Sequence, residues 1–300
     1  MNFRILFASF SLFIFGLATP EAAFGQDAVP GLGMSPTSQE LKGQPGTVIK
    51  QDITVINDGP IDLTYTLSAS DYTVKGSDYS PTFTDASSVS SLSAAKWFSY
   101  KSGAAVIRAH DQVVVPITIS VPANASLGGH YAAVFAETVA AAPKNGSRIN
   151  RITKVGSLFY LAIGGNLHQA GAISKFSVPW LQYTSPIQAK LLIKNSGNIH
   201  FSANSKLIIK PLFGNARSPV LAKGEVLPGI DREFDTKLPA GRGFGIYRVN
   251  LTTDFSDVLQ PEQTKWVLLI PKLAAYIFLT TIVLILAMML VLVIQKKRIQ

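Results

Sequence analysis

From Leu273 to Ile294 the chain reads LAAYIFLTTIVLILAMMLVLVI without a single charge, and Gln295, Lys296, Lys297 and Arg298 follow at once. A helix of that length covers about 33 Å, the thickness of a bilayer's hydrocarbon core. The run therefore predicts a transmembrane helix over 272–294, with 295–300 as a basic tail. Lys296, Lys297 and Arg298 place that tail in the cytoplasm by the positive-inside rule, which puts residues 26 to about 270 outside the cell, as in a single-pass type I protein of the cell membrane. Trp266, Lys272 and Tyr276 bracket the outer boundary, where amphipathic rings and snorkelling lysines sit well.

The opposite end has the cadence of an export signal. MNFR supplies a positive charge, ILFASFSLFIFGLA an apolar stretch too short to span, and Ala23 and Gly25 the small residues of a cleavage site. A signal peptide over 1–25 is expected. The sequence has no cysteine, so no lipid is attached by that route and no disulfide holds the exported part together. Each domain must then be large enough to stand on core packing alone. The net charge of +9 is spread along the chain without a dense basic block interleaved with aromatics. That pattern argues against nucleic acid and fits solubility and attraction to anionic envelope polymers.

Between the two ends, strand alternation dominates: TVIKQDITVINDG, DLTYTLSAS and QVVVPITISVP early, then IQAKLLIKNSG, SKLIIKPLFG and GIYRVNLTTDF. Short strands punctuated by Gly, Pro and Asn predict a mostly β protein built of Ig-like β-sandwiches. The pattern occurs twice. VINDGPIDLTYTL from Val55 matches IKNSGNIHFSANS from Ile193, placing Asn57 and Gly59 beside Asn195 and Gly197. VPANASLGGHYAAVF matches LPAGRGFGIYRVNL, placing Gly129 and Tyr131 beside Gly245 and Tyr247. Two tandem sandwiches are expected, over 26–168 and 169–271, the first carrying an insertion at about 68–103. Phosphate-binding glycine loops lead into a helix, and both of these lead into a strand. The glycines are therefore expected to serve tight turns, with each tyrosine tucked beneath and its hydroxyl on a backbone partner.

The insertion gathers Tyr72, Tyr79, Phe83, Trp97, Phe98 and Tyr100. Two readings stay open: rings packed on the sandwich as an added hairpin, or a binding face that stacks on sugars or anchors a protein. Catalytic signals are thin. His110, His130, His168 and His200 show no metal-ligand spacing, and SAAK at 93–96 lacks the companion elements of a serine enzyme. Asp71 and Asp78 could touch Ca²⁺ in a loop, but without EF-hand spacing. No catalytic residue, metal or cofactor is expected. Asn124, Asn145 and Asn250 lie in N-x-S/T sequons.

The layout of signal, two β-sandwiches, one span and a basic tail resembles the WxL-interacting protein family. The local likeness lies in TVINDGPIDLTYTLSASDYTVKGSDYS and HDQVVVPITISVPANASLGGHYAAVF, within roughly residues 30–165. The resemblance implies a peptidoglycan-binding Ig-like domain followed by a β domain that contacts a surface protein. The expected function is thus a non-enzymatic, membrane-anchored binding protein for a cell-wall polymer such as peptidoglycan, for a surface protein, or for both. The alternative is an accessory subunit docking on a membrane complex through ectodomain and span; an exported hydrolase ranks third.

Overall fold

The computed structural model describes residues 31–76, 79–85, 90–139, 152–240, 244–255 and 258–299. The signal segment 1–25 and Asp78 and Asn145 lie outside the described residues. Domain 1 runs through β1 (Leu32–Ser35), β2 (Ser38–Gly43), β3 (Val48–Asn57), β4 (Leu63–Lys75), β5 (Ser80–Asp85), β6 (Phe98–Ser99), β7 (Ala105–Ile107), β8 (Asp111–Ser120), β9 (Gly128–Thr138) and β10 (Lys154–Ile163). Domain 2 follows with β11 (Gly171–Ser177), β12 (Leu181–Gln182), β13 (Ile187–Asn195), β14 (Phe201–Pro211), β15 (Val220–Val226), β16 (Asp231–Leu238), β17 (Gly245–Phe255), β18 (Val258–Leu259) and β19 (Gln263–Leu269). Helix α1 (Lys272–Ile299) ends the chain.

Each domain is two sheets face to face. In domain 1 the orders are β1-β3-β8-β6 and β2-β10-β9-β4-β5; in domain 2 they are β11-β13-β16 and β12-β19-β17-β14-β15. Replacing β1, β3 and β8 by β11, β13 and β16, and β2, β10, β9, β4 and β5 by β12, β19, β17, β14 and β15, turns one domain into the other. Both copies even close with a parallel pair, β2 on β10 and β12 on β19. The sequence repeat is therefore a repeat of topology. Period-2 alternation drives it: Val115, Ile117 and Ile119 of β8 and Ile187, Ala189, Leu191 and Ile193 of β13 all point inward. Phe159, Leu161 and Ile163 of β10 meet the first set, and Val249 and Leu251 of β17 the second.

The insertion appears as the outer half of β4 paired with β5, then a 3₁₀ turn at Ala95–Trp97 leading into β6. Helix α1 has a span over Lys272–Leu292 with mean hydropathy 2.7, so among the described residues one helix is long and apolar enough to cross a membrane. It continues beyond the expected limit at 294, because Gln, Lys and Arg are good helix formers.

Candidate functional site: the domain junction and the Trp97 cleft

Asn57 and Asn195 end equivalent strands, and both side chains are wholly buried. The Asn57 amide donates to Ile61 O at 2.8 Å and Arg108 O at 2.9 Å, while its Oδ1 accepts Gly59 N–H at 3.0 Å. Asn195 donates to Ile199 O at 2.9 Å and Val226 O at 2.8 Å and accepts Gly197 N–H at 2.9 Å. One side chain thus satisfies backbone groups from a turn and from a neighbouring segment, which a buried turn requires. At Gly197 a Cβ would fall 2.2 Å from His168 O, so the glycine lets the interdomain linker lie against the turn.

The two tyrosines part company. Tyr247 sits beneath the turn before β17, its hydroxyl donating to Ala240 O at 2.8 Å, and Gly245 has a φ of +135° there. No helix follows Gly245, since β17 begins at that residue. Tyr131, wholly buried in β9, instead accepts the backbone N–H of His200 in domain 2 at 3.0 Å and lies 3.2 Å from His200 Nδ1. Its ring has space because residue 129 is glycine: a Cβ would come 2.1 Å from the Tyr131 hydroxyl. The preceding Gly128 holds φ at +125° and would clash with Asn198 O, to which Gly129 N–H donates at 2.7 Å. The Tyr131 hydroxyl has a backbone partner as expected, but the expectation that it closes a turn of its own domain is corrected, because that partner, His200, belongs to the second domain.

The insertion supplies the rest of this junction. Tyr79 accepts the backbone N–H of Leu227 in domain 2, and the Arg232 guanidinium stacks 4.3 Å over its ring. Tyr160 packs edge-on to Tyr72 and Tyr131, with centroids 6.1 and 5.8 Å away, and 4.9 Å from the His200 ring. Tyr72, Tyr79, Tyr131, Tyr160, Val74 and Leu227 form one buried cluster drawn from both domains. As an exposed binding face the expectation is therefore corrected for four of the six aromatics. Tyr72 and Tyr79 are buried at the junction, Phe98 is buried in the core of domain 1, and Tyr100 is half-buried against that core. Phe83 is exposed and stacks on Tyr72 at 5.7 Å, with Phe135 edge-on at 4.8 Å.

Burial raises the Tyr79, Tyr131 and Tyr160 hydroxyls above their ordinary 10.0, so these groups stay neutral and keep their hydrogen bonds. It lowers His200 below 6.5 and raises Glu225 above 4.5, the latter opposed by a hydrogen bond from Ser202. Glu40, His200 and Glu225 approach within 4.8 Å of one another. One imidazole and two carboxylates are residues that could hold a divalent cation, and spacing along the chain gave no sign of them. Against that use, Tyr131 already faces His200 Nδ1 and Ser202 already donates to Glu225 Oε1; Glu225 Oε2 is buried without a hydrogen-bond partner.

Trp97 is half-buried in a second place, an open cleft of about 240 Å³ between the 3₁₀ turn and the β8–β9 connection. Its indole tilts over the His130 ring at 4.5 Å, and Lys96, Asn124 and Ser126 line the walls. The His130 ring nitrogens face Ser126 O at 2.8 Å and Ser93 O at 3.3 Å, which fixes the imidazole as a support for the indole. Asp71 beneath the cleft accepts Ala94 and Ala95 N–H, each at 2.8 Å. That carboxylate therefore holds the turn instead of standing free for calcium.

Where β19 leads into α1, Trp266 of β19 is 53% exposed and Tyr276 of α1 65% exposed, with Lys272 at the first residue of the helix. Lys296, Lys297 and Arg298 lie in the last turns of α1.

These features define a class: a protein of two fused Ig-like sandwiches followed by one helix apolar enough to cross a membrane. No known protein family matches the sequence, and no curated protein does either. Solved structures with a similar fold include a chain of the chaperone–tip adhesin complex of CFA/I fimbriae biogenesis, 13% identical over 80% of this chain and 99% of that one, with a TM-score of 0.42. The class 5 fimbriae chaperone CfaA is 12% identical over 80% and 99%, also at 0.42. A chain of the CsuC–CsuE pre-assembly complex of Acinetobacter baumannii Csu pili is 14% identical over 79% and 97%, again at 0.42.

Proposed function

We propose that this chain is a non-enzymatic binding protein tethered to the cell membrane, with a two-sandwich ectodomain that holds an envelope ligand in the Trp97 cleft. The observation that carries the reading is the chemistry of that cleft: one indole face, braced from behind by His130, set among the short polar side chains of Asn124 and Ser126 and the charge of Lys96. An aromatic floor with polar walls suits a sugar ring, whose apolar face stacks while its hydroxyls take the hydrogen bonds. A cell-wall glycan of the peptidoglycan kind is the ligand class this favours. The tyrosine junction has a matching role, since it joins the cleft-bearing domain to the one that leads into α1.

A second reading, a surface-protein partner, is favoured by Phe83. It is 43% exposed and contiguous with Phe135, over which Lys154 Nζ lies at 4.7 Å. Aromatic side chains beside a cation are common anchors of protein interfaces.

One experiment separates the two. Full-length protein in detergent is co-sedimented with isolated cell wall, as wild type, Trp97→Ala and Phe83→Ala, with circular dichroism to establish that each is folded. Loss of sedimentation in Trp97→Ala alone supports the glycan reading. Retention in Trp97→Ala with loss in Phe83→Ala replaces it with the protein reading.

A further inference from the structure

Domain 2 has two ends, and domain 1 covers only one. Strand register defines the other: Pro211 pairs with Tyr247, Gly245 with Leu269, Ile187 with Leu238 and Leu181 with Leu268. The β11–β12, β12–β13, β14–β15 and β16–β17 connections therefore meet at the base from which α1 departs. Strand β19 ends at Leu269 and α1 starts at Lys272, so the join spans at most about 10 Å of chain. A bilayer crossed by α1 must lie against this base.

The base is built for that neighbour. Phe213 is 87% exposed, Trp180 71%, Phe244 64% and Leu212 49%, all on these connections. Isolated exposed apolar residues are ordinary, but here large ones gather around the mouth of an apolar helix. Tyr183 adds to them, lining a shallow hollow with Lys272, Ala275 and Tyr276 of the first helical turns. The charges agree. The described segments 178–188, 208–219, 237–240, 244–249 and 265–272 contain six lysines and arginines, Arg217, Arg248 and Lys272 among them, and no aspartate or glutamate. The whole chain has 18 acidic residues, so their exclusion from this end is local.

We propose that the base of domain 2 is a second membrane-contact surface, whose Phe213, Phe244 and Trp180 enter the interfacial layer of an anionic bilayer around α1. Exposed aromatic and aliphatic tips with basic residues and no acids are the chemistry by which a protein surface lies on anionic lipid: rings settle at headgroup depth and cations meet phosphates. The surface rests on the membrane-anchor reading of α1. It adds to that reading by fixing the tilt of the ectodomain, because three connections enter the interface at separate points around the helix. The Trp97 cleft is then held at a set height and direction above the lipid.

Because the chain has no cysteine, single cysteines report position without background. Full-length Phe213→Cys, Phe244→Cys, Val114→Cys and Leu284→Cys variants are labelled with an environment-sensitive fluorophore. They are placed in protein-free-lipid nanodiscs of phosphatidylcholine with or without phosphatidylglycerol. Val114, 58% exposed in domain 1, is the water-facing reference, and Leu284 on the surface of α1 the lipid-facing one. The expected result is several-fold stronger quenching by spin-labelled lipid at 213 and 244 than at 114, increasing with phosphatidylglycerol. Quenching at 284 with 213 and 244 as hydrated as 114 overturns the contact surface while leaving the anchor intact. Absence of quenching at 284 overturns the anchor, and the contact surface falls with it.

Discussion

Tyr131 and Tyr247 occupy equivalent strands of equivalent sheets, two residues after a glycine in each, yet their hydroxyls do different work. Tyr247 closes its own turn on Ala240 O; Tyr131 reaches out of its domain to the His200 backbone. The asparagines behave oppositely. Asn57 and Asn195 tie the same turn and neighbouring segment in both copies, Asn57 with one further bond to Ile107 O at 3.3 Å. The contrast shows which parts of a duplicated sandwich are free to change. A buried turn amide has backbone groups to satisfy wherever it occurs, so its role is kept. A tyrosine at the end of a sandwich has a partner only if something lies beyond it. For domain 1 that is domain 2, whereas Tyr247 of domain 2 takes Ala240 O of its own domain.

The largest effect expected is at the shared element. Asn57→Ala and Asn195→Ala each leave the backbone carbonyls and the turn N–H that the amide serves without that partner, and each loss is expected to cost about 2–5 kcal/mol. Denaturant unfolding of the full chain in detergent measures it, and the two variants should fall by similar amounts. A large loss at one position with a small loss at the other would break the equivalence of the two domains.

Next come the divergent residues. Tyr131→Phe leaves the His200 N–H buried without an acceptor and is expected to cost about 1–3 kcal/mol, expressed as loosening between domains. Tyr247→Phe should cost about 1 kcal/mol within domain 2 alone. Limited proteolysis across the interdomain linker, followed against time, distinguishes them: Tyr131→Phe should be cut faster than wild type and Tyr247→Phe at the wild-type rate. Gly129→Ala sharpens the same comparison, because its Cβ would land on the Tyr131 hydroxyl, whereas at Gly245 the nearest atom outside its chain neighbours is Tyr247 Cε2 at 3.9 Å. The alanine at 129 should accelerate cutting as Tyr131→Phe does. The alanine at 245 should instead lower the stability of domain 2 through its φ of +135°.

Much of the fold was legible because its signals are local. Alternation in β8 and β13, the Asn-x-Gly turns and the uncharged run in α1 each carry their own physical reason, and the recurrence of the turns exposed the duplication. The junction was not legible, since no periodicity encodes which turn of one domain faces which turn of the next. Tyr72 and Tyr79 read as aromatics in a serine-rich insertion, and only the third dimension turns them toward Leu227 and Arg232. His200 showed no metal-ligand spacing in the sequence, because its neighbours Glu40 and Glu225 come from β2 and β15. Trp97 was visible in sequence as one ring of the insertion, while the His130 ring it packs on lies over thirty residues away. The exposed rings on the β11–β12, β14–β15 and β16–β17 connections were not legible either, since they come together at one end of domain 2 only in the folded chain.

The smallest effect expected is on pH dependence at the junction, and it tests whether burial there governs the charged groups as it governs the tyrosines. His200 has its affinity for a proton lowered by burial, so the unfolded chain binds that proton more readily, and stability is lost as pH falls below about 6.5. Glu225 is shifted the other way. Its folded form holds a proton more tightly than the unfolded one, so its cost is absent below about 4.5 and grows as pH rises above that value. Between the two values the effects oppose each other, and the wild-type profile should be shallow. Glu225→Gln removes one side of the balance: it should raise stability at pH 7 relative to wild type, leave it nearly unchanged at pH 4, and uncover the His200 loss as a steeper fall below pH 6.5. Midpoints of chemical unfolding from pH 4 to pH 8 read all three. A Glu225→Gln profile parallel to wild type would mean that the carboxylate is already compensated at the junction, with Ser202 and Arg232 sufficient to hold its charge.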